Sequence, residues 1–228
     1  NGWNVLVTCS SSIEAANIVA AECSSEISEV IAIKANVAND EECIHSVETA
    51  IKKWGRVDAV VNNAGTTKFV WNHGDLEGID AEDFQNIYSV NVIGPFQMVR
   101  ASKMHLLKSD NPNIINVSSI GGLKGIGSSI AYAASKGALN SMTLSMARNL
   151  GPIKVNAVCP GFIEGEWLRN GMGEERFEAT KMHIENTSPL GKTCSPESIA
   201  EVIYNLIVAS ELVTGQLIAI DGGVSLNL

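Results

Sequence analysis

The sequence predicts an α/β fold in which a doubly wound parallel sheet carries helices on both faces. Two observations support this prediction. Short apolar segments rich in β-branched residues predict six strands, at residues 4–8, 30–33, 57–61, 113–117, 154–158 and 217–220. Longer segments of helical character separate most of these strands, and strands that alternate with helices favour parallel pairing. Because no repeat or linker interrupts the 228 residues, we expect a single domain over residues 1–228.

The predicted elements have recognisable boundaries. Residues 4–8 predict a buried strand. Asp40 is a candidate N-cap, and apolar residues behind it recur on one helical face until Gly55, which is well placed to end the helix. Asp80 is a candidate cap for the next helix. The predicted helices cover residues 13–23, about 41–54, 80–106 and 130–150.

Residues 162–192 are polar and mixed, and they show no regular apolar pattern. A stretch of this length inside a compact domain is more often a functional lid than a plain connection. We therefore expect residues 162–192 to form a substrate-binding lid. Its candidate lining residues are Phe162, Trp167, Leu168 and Met172.

Composition argues against several classes of function. The formal net charge is −9, which opposes a nucleic-acid-binding surface. No apolar stretch is long enough to predict a membrane span. The five cysteines are scattered and odd in number, so we expect no disulfide framework and a reducing compartment, the cytoplasm. The four histidines lack metal-ligand spacing, and we expect no metal.

The most informative segment runs from Tyr132 to Lys136. The two side chains are four residues apart on a predicted helix and so share a face, where an ammonium would lower the pKa of the phenol. Ser119 follows the strand at 113–117, at the edge where open α/β sheets bind ligands. Asn91 interrupts a predicted helix, where Asn is mildly unfavourable. Taken singly, each residue also has an ordinary structural explanation.

Together these residues resemble the short-chain dehydrogenase/reductase family over essentially the whole chain, and 3-oxoacyl-carrier-protein reductases among its members. The resemblance implies a Rossmann-like NAD(P)-binding domain that forms homotetramers or homodimers. It implies that Tyr132 is the general acid/base and that Lys136 lowers its pKa and holds the nicotinamide ribose. Ser119 would orient the substrate carbonyl, and Asn91 would help to anchor a proton-relay water.

Further motifs match this family at other strand ends. The segment Asn62-Asn63-Ala64-Gly65 ends the third strand, Pro160-Gly161 follows the fifth, and Asp221-Gly222-Gly223 follows the sixth. Beyond Tyr132 and Lys136, the resemblance implies cofactor contacts at Ser10, Ser11, Asn36, Val37, Asn63, Ala64, Gly65, Pro160, Gly161 and Ile163.

The sequence also departs from the family pattern. We expect the first βα unit, about 30 residues with the Gly-rich turn that binds pyrophosphate, to be missing from this sequence, which would leave the sheet short of a central strand. Residues 121–127 match the Gly-rich spacing but lie between Ser119 and Tyr132, so we do not interpret them as that turn. Asn36 replaces the usual Asp beside the adenine, and Gly165 replaces a common Thr.

Cofactor choice depends on the end of the first predicted strand. NAD-preferring relatives carry an acidic residue there, whereas residues 8–12 are Thr-Cys-Ser-Ser-Ser. This favours NADP(H) over NAD(H), and with it reduction of a ketone, such as a 3-oxoacyl thioester, to a secondary alcohol. Two alternatives stay open: an NAD-dependent alcohol or sugar dehydrogenase, and a non-catalytic cofactor-binding relative.

Overall fold

The computed structural model describes residues 2–227, so the two ends of the predicted 1–228 domain lie outside the described residues. The strands are β1 (Val5–Cys9), β2 (Val30–Lys34), β3 (Ala59–Asn62), β4 (Asn113–Val117), β5 (Lys154–Pro160) and β6 (Leu217–Ile220). The α-helices are α1 (Ile13–Cys23), α2 (Asp40–Trp54), α3 (Ala81–Tyr88), α4 (Gly94–Leu106), α5 (Gly121–Lys124), α6 (Ile130–Asn149), α7 (Glu166–Met172), α8 (Glu174–Thr187) and α9 (Pro196–Val208). A π-helical turn, Ser89–Ile93, joins α3 to α4, and a 3₁₀ turn spans Val224–Asn227.

All strand pairs are parallel, and the predicted α/β fold is confirmed. Strands β3, β4, β5 and β6 form one sheet in that order, and β1 pairs with β2 in a second. The prediction that residues 4–8 form a buried strand is wrong, because no residue of β1 is buried and Val5 is 42% exposed. Within residues 2–227, β1 pairs only with β2, which leaves its other edge uncovered.

The main sheet is covered on both faces. Successive residues of a strand point to opposite faces, and accordingly Ile114 packs with Val99 and Leu106 of α4, whereas Ile115 packs with Leu206 of α9. Both isoleucines are fully buried. The carboxyl ends of β3, β4 and β5 therefore project from a rigid, two-sided core.

Helix boundaries agree with the sequence in part. Gly55 ends α2 with a left-handed φ of 75°, and Asp80 caps α3 in a reciprocal capping box with Asp83. The prediction of Asp40 as the N-cap of α2 is wrong by one residue. The side chain of Asn39 caps this helix instead, accepting hydrogen bonds from the backbone of the first turn at 3.0 and 3.4 Å.

Two predicted stretches are organised differently in the structure. The single helix expected over residues 80–106 is divided by the π-helical turn at Ser89–Ile93. Residues 162–192, expected to be irregular, contain α7 and α8. These two helices bury only Phe177 and Ile184 between them, so they carry no apolar stripe that a sequence pattern could reveal.

Candidate active site

The start of α6 positions the predicted acid/base. The Ser129 hydroxyl caps the helix by accepting a hydrogen bond from the Tyr132 backbone N–H at 3.2 Å. Tyr132 thus lies in the first turn, and Lys136 follows one turn later with 4% of its surface exposed. The structure brings the two side chains together as their spacing predicts, with the Lys136 Nζ 5.6 Å from the centroid of the phenol ring.

Lys136 is a buried cation held by a backbone carbonyl. Its Nζ donates a hydrogen bond to the Val117 carbonyl at the end of β4, at 2.8 Å. Burial lowers the pKa of the Lys136 ammonium to about 8, because a charge away from water is disfavoured. The buried Cys159 thiol of β5 raises the pKa of Lys136 in part. Burial raises the pKa of that thiol to about 11.

Tyr132 has a pKa shifted in the direction opposite to that expected. Burial raises the pKa of the phenol, and the Ser119 hydroxyl lowers it in part. Lys136 is not among the causes, so the predicted lowering by the ammonium does not appear in this arrangement. The Ser119 hydroxyl itself is held by the Gly121 backbone N–H, which donates to it at 3.0 Å. Because the Ser119 hydroxyl acts on the pKa of Tyr132, the two side chains are neighbours.

Asn91 lies in the π-helical turn and is fully buried. Its Oδ1 accepts from the Thr66 N–H at 2.8 Å, and its Nδ2 donates to the Thr66 carbonyl at 2.9 Å and to Ser135 Oγ at 3.0 Å. The Ser135 hydroxyl donates in turn to the Tyr132 carbonyl at 2.7 Å. Asn91 therefore ties the loop after β3 to the helix that carries Tyr132, and its side chain is engaged with protein atoms. Such π-helical turns occur frequently at functional sites.

Thr66 and Ser135 were missed by reasoning from sequence. Ser135 lies inside the Tyr132–Lys136 segment, but no local pattern shows that its hydroxyl links Asn91 to the catalytic helix. Its position next to Lys136 was the one available signal.

The glycines of residues 121–127 have packing roles. A Cβ on Gly122 would lie 2.5 Å from the Lys136 carbonyl carbon, and one on Gly121 would lie 2.5 Å from the Ile126 carbonyl oxygen. The Ser118 hydroxyl also donates to the Lys136 carbonyl at 3.2 Å. Gly122 lets α5 approach α6 at the level of Lys136, which supports the interpretation that this segment is not a phosphate-binding turn.

The cofactor contacts predicted after β3 and β5 lie at strand ends of the main sheet. Asn63, Ala64 and Gly65 follow β3 and are exposed, and a Cβ on Gly65 would lie 3.6 Å from the Lys136 Nζ. Pro160 ends β5, and Gly161 packs against Asp221, where a Cβ would approach to 2.8 Å. Ile163 forms an isolated bridge with Cys194. Of these predicted contacts, the exposed Gly65 lies nearest to the Lys136 ammonium.

The remaining cofactor candidates follow the strands of the smaller sheet. Ser10 and Ser11 come after β1 and are exposed. Asn36 follows β2, and its Oδ1 accepts from the Ala38 N–H at 3.0 Å in a local turn. Val37 packs closely on Gly94, where a Cβ would meet its side chain at 2.7 Å. Val37 thus contacts the start of α4.

The predicted lid residues have different environments. Phe162 is half-buried and packs at a tilt against the fully buried Phe177, with ring centroids 4.9 Å apart. Trp167 is 53% exposed and lies 5.5 Å from the ring of Phe69. Leu168 and Met172 are half-buried. Of the four, Trp167 is the one that presents most of an aromatic side chain outside the core.

Within residues 2–227, no group of three or more histidine, cysteine or acidic side chains is arranged to hold a metal ion. No helix in this range combines the length and hydropathy that crossing a membrane requires.

Comparison with known proteins identifies the family. A family model described as enoyl-(acyl carrier protein) reductase matches residues 1–225. A solved structure described as a short-chain dehydrogenase/reductase from Burkholderia xenovorans superposes with a TM-score of 0.87, at 36% identity over 98% of this chain and 87% of the other. The chain belongs to the short-chain dehydrogenase/reductase family. A member of this family is an NAD(P)-dependent oxidoreductase.

Two curated relatives of this short-chain dehydrogenase/reductase are named as ketoacyl reductases. One, from Streptomyces violaceoruber, is described as a ketoacyl reductase of the granaticin polyketide synthase and is 37% identical over 99% of this chain and 87% of its own length. The other, a 3-oxoacyl-[acyl-carrier-protein] reductase from Synechocystis, is 33% identical over 97% of this chain and 87% of its own length. The resemblance to carbonyl-reducing members is thereby confirmed.

Proposed function

We propose that this short-chain dehydrogenase/reductase reduces a ketone to a secondary alcohol with NADPH, and that Tyr132 is the general acid. The observation that carries the proposal is the buried Lys136 ammonium, 5.6 Å from the centroid of the Tyr132 ring and one turn along the same helix, with the Ser119 hydroxyl held after β4. The two named ketoacyl reductases support carbonyl reduction as the reaction.

The side chains have separate roles in this reaction. The nicotinamide supplies the hydride when it is bound. Tyr132 donates its phenolic proton to the carbonyl oxygen, and a raised pKa keeps that proton in place until charge develops on the oxygen. Ser119 donates a hydrogen bond to the same oxygen. Asn91 keeps the Thr66 loop and the Tyr132 helix in register.

The residues proposed to hold the cofactor follow the strand ends. On the nicotinamide side they are Lys136, Pro160, Gly161 and Ile163. On the adenosine side they are Ser10, Ser11, Asn36, Val37, Asn63, Ala64 and Gly65. The preference for NADPH rests on exposed hydroxyls at Ser10 and Ser11 and on the lack of a carboxylate between residues 8 and 12.

A second candidate is oxidation of an alcohol or sugar with NAD. Residues 8–12 contain no lysine or arginine to bind a 2′-phosphate, and this observation favours NAD. A non-catalytic cofactor-binding role is the third candidate. The presence of both Tyr132 and Lys136, with the Lys136 Nζ 5.6 Å from the centroid of the Tyr132 ring, argues against this role.

Location and assembly are also proposed. Five free cysteines support a reducing compartment, the cytoplasm. Membership in this family supports a homotetramer or homodimer, with a small-molecule ketone or alcohol as the other partner.

The test is a titration of the full-length protein with NADPH and NADH, followed by nicotinamide fluorescence, and then turnover assays. We expect tighter binding of NADPH and reduction of the N-acetylcysteamine thioester of acetoacetate, a 3-oxoacyl substrate, with no reduction of the matching crotonyl thioester. Preferential NADH binding with oxidation of alcohols would favour the second candidate. Lack of binding and turnover with both cofactors would refute an enzymatic role.

A further inference from the structure

Outside the predicted catalytic group, three tilted aromatic rings and one guanidinium form a continuous row. Trp167 lies 5.5 Å from Phe69, Phe69 lies 5.2 Å from Trp71, and the Arg176 guanidinium covers the Trp71 ring at 4.6 Å. We call Trp167, Phe69, Trp71 and Arg176 the aromatic row. Such ring distances fall in the range where aromatic pairs attract one another beyond simple burial.

The aromatic row joins two elements that are far apart in the chain. Phe69 and Trp71 belong to the loop after β3, whereas Trp167 belongs to α7 and Arg176 to α8. Gly171 of α7 lies directly against Phe69, where a Cβ would overlap the ring at 2.0 Å. The lid backbone therefore packs on the loop at the tip of the Phe69 ring.

The loop that carries Phe69 and Trp71 runs beside the phenol of Tyr132. The Val70 N–H donates to the Ser128 carbonyl at 2.7 Å, and the Thr67 and Ser128 hydroxyls are 2.8 Å apart. The neighbouring Gly127 abuts the Tyr132 ring, where a Cβ would lie 3.3 Å away. The aromatic row is thus held along the segment that borders the reacting carbonyl.

The lid does not need the aromatic row as its core. The fully buried Phe177, with the half-buried Phe162 beside it and Arg169 over its ring at 4.1 Å, already forms that core. By contrast, Trp167 is 53% exposed. Phe69 and Trp71 are half-buried. Exposed aromatic surface beside a reacting centre is suited to bind an apolar ligand.

The charges of the lid disfavour recognition of an anionic carrier. Arg169 pairs with Glu178 at 2.9 Å, and Lys181 pairs with Glu164 at 2.7 Å. Two of the lid cations are therefore neutralised within the lid. Stacking on aromatic faces, rather than attraction to a negative partner, is the interaction that this surface offers.

We propose that the aromatic row selects a planar aromatic ketone as substrate, in preference to an open-chain 3-oxoacyl thioester. This inference rests on the proposed function, because it assigns a substrate class to the same site. The flat ring of the substrate stacks beside Trp167 and Phe69 while its carbonyl oxygen points to Tyr132 and Ser119.

The experiment compares kcat/KM for 2-tetralone, a bicyclic ketone, with that for the N-acetylcysteamine thioester of acetoacetate. We expect the wild-type protein to favour 2-tetralone, and Trp167→Leu to lower the ratio of the two kcat/KM values about tenfold, as for other losses of apolar contact in a substrate pocket. Trp71→Leu is the second variant, so that misfolding of one leaves the test intact. Trp54→Leu is the matched control, since Trp54 ends α2 and its indole donates to Glu29, ahead of β2.

Three outcomes would overturn the proposal. A wild-type preference for the thioester would refute the substrate class. An equal loss for both substrates in both row variants would show that the aromatic row only packs the lid. Reduction of neither ketone with either cofactor would refute the proposed function itself, which distinguishes that failure from a failure of this inference.

Discussion

At the residue scale, the protonation of Lys136 links the site to stability. Its ammonium is buried, and its pKa falls from an ordinary value of 10.5 to about 8. Between these pH values the unfolded chain keeps a proton that the folded chain has released. The free energy of unfolding therefore rises with pH across this window. At neutral pH the buried charge costs the fold about 3 kcal/mol.

Lys136→Met should remove this dependence, because methionine has a similar shape and no charge. We expect the wild-type free energy of unfolding to rise by about 1 kcal/mol more than that of the variant between pH 8 and pH 9. Urea unfolding at each pH measures it. The range stops at pH 9 because the buried thiols of Cys43 and Cys159, each with a pKa raised to about 11, destabilise the fold at higher pH. Parallel profiles for the two proteins would contradict the assignment.

Tyr132→Phe removes one proton and little volume. We expect turnover to fall by at least about 100-fold, the usual contribution of general acid catalysis, with NADPH affinity nearly unchanged. Steady-state kinetics and fluorescence titration measure the two quantities. Tyr204→Phe is the control, since Tyr204 lies on α9 and is 37% exposed. Comparable turnover in Tyr132→Phe would refute the role given to the phenol.

At the element scale, the contact between α5 and α6 determines the position of the Lys136 backbone. Gly122 contacts the Lys136 backbone. The hydroxyl of Ser118, the residue that follows β4, donates a hydrogen bond to the Lys136 carbonyl. Close packing of this kind leaves no space for one more carbon atom. A short helix with few buried residues thus controls the position of Lys136.

Gly122→Ala should separate α5 from α6. We expect a loss of about 1–3 kcal/mol in the free energy of unfolding, as for other overpacked contacts, together with lower kcat. Thermal unfolding and steady-state kinetics measure these effects. Gly137→Ala is the matched control, because its Cβ would meet only an ordinary contact at 3.6 Å and alanine favours helix. Equal stability of the two variants would show that the contact is not tight.

At the scale of the whole molecule, α4 presents an apolar stripe. Phe96 and Met104 of α4, with Ile93 at the end of the preceding π-helical turn, recur on one side and are 46%, 64% and 48% exposed. Arg100 covers part of the Phe96 ring at 5.5 Å. A stripe of this kind is typical of a surface that meets another subunit.

Phe96→Asp should therefore weaken self-association, because a carboxylate would replace an apolar contact. We expect light scattering to give a wild-type mass that is two or four times the subunit mass, and the variant to shift towards monomer. Leu212→Asp is the control, since Leu212 is 95% exposed in a turn outside α4. A monomeric wild-type protein would contradict the expectation.

What the sequence determined by itself was local. Strands β4 and β6, the Asp80 cap and the Gly55 helix end follow from nearest-neighbour chemistry, and the structure confirms each. The shared face of Tyr132 and Lys136 follows from the helical repeat, because residues four apart lie on the same side of any α-helix, whatever fold surrounds it.

Only the tertiary structure decided how distant segments act on one another. The bonds from Asn91 to Thr66 and Ser135, the raised pKa of Tyr132 and the aromatic row on Phe69 all join residues from different elements. Helices α7 and α8 were missed for the same reason, since their few buried side chains pack against the rest of the domain rather than along a stripe. Burial and hydrogen bonding depend on which segments are in contact in the folded protein. Periodicity along the chain does not show which distant segments come into contact.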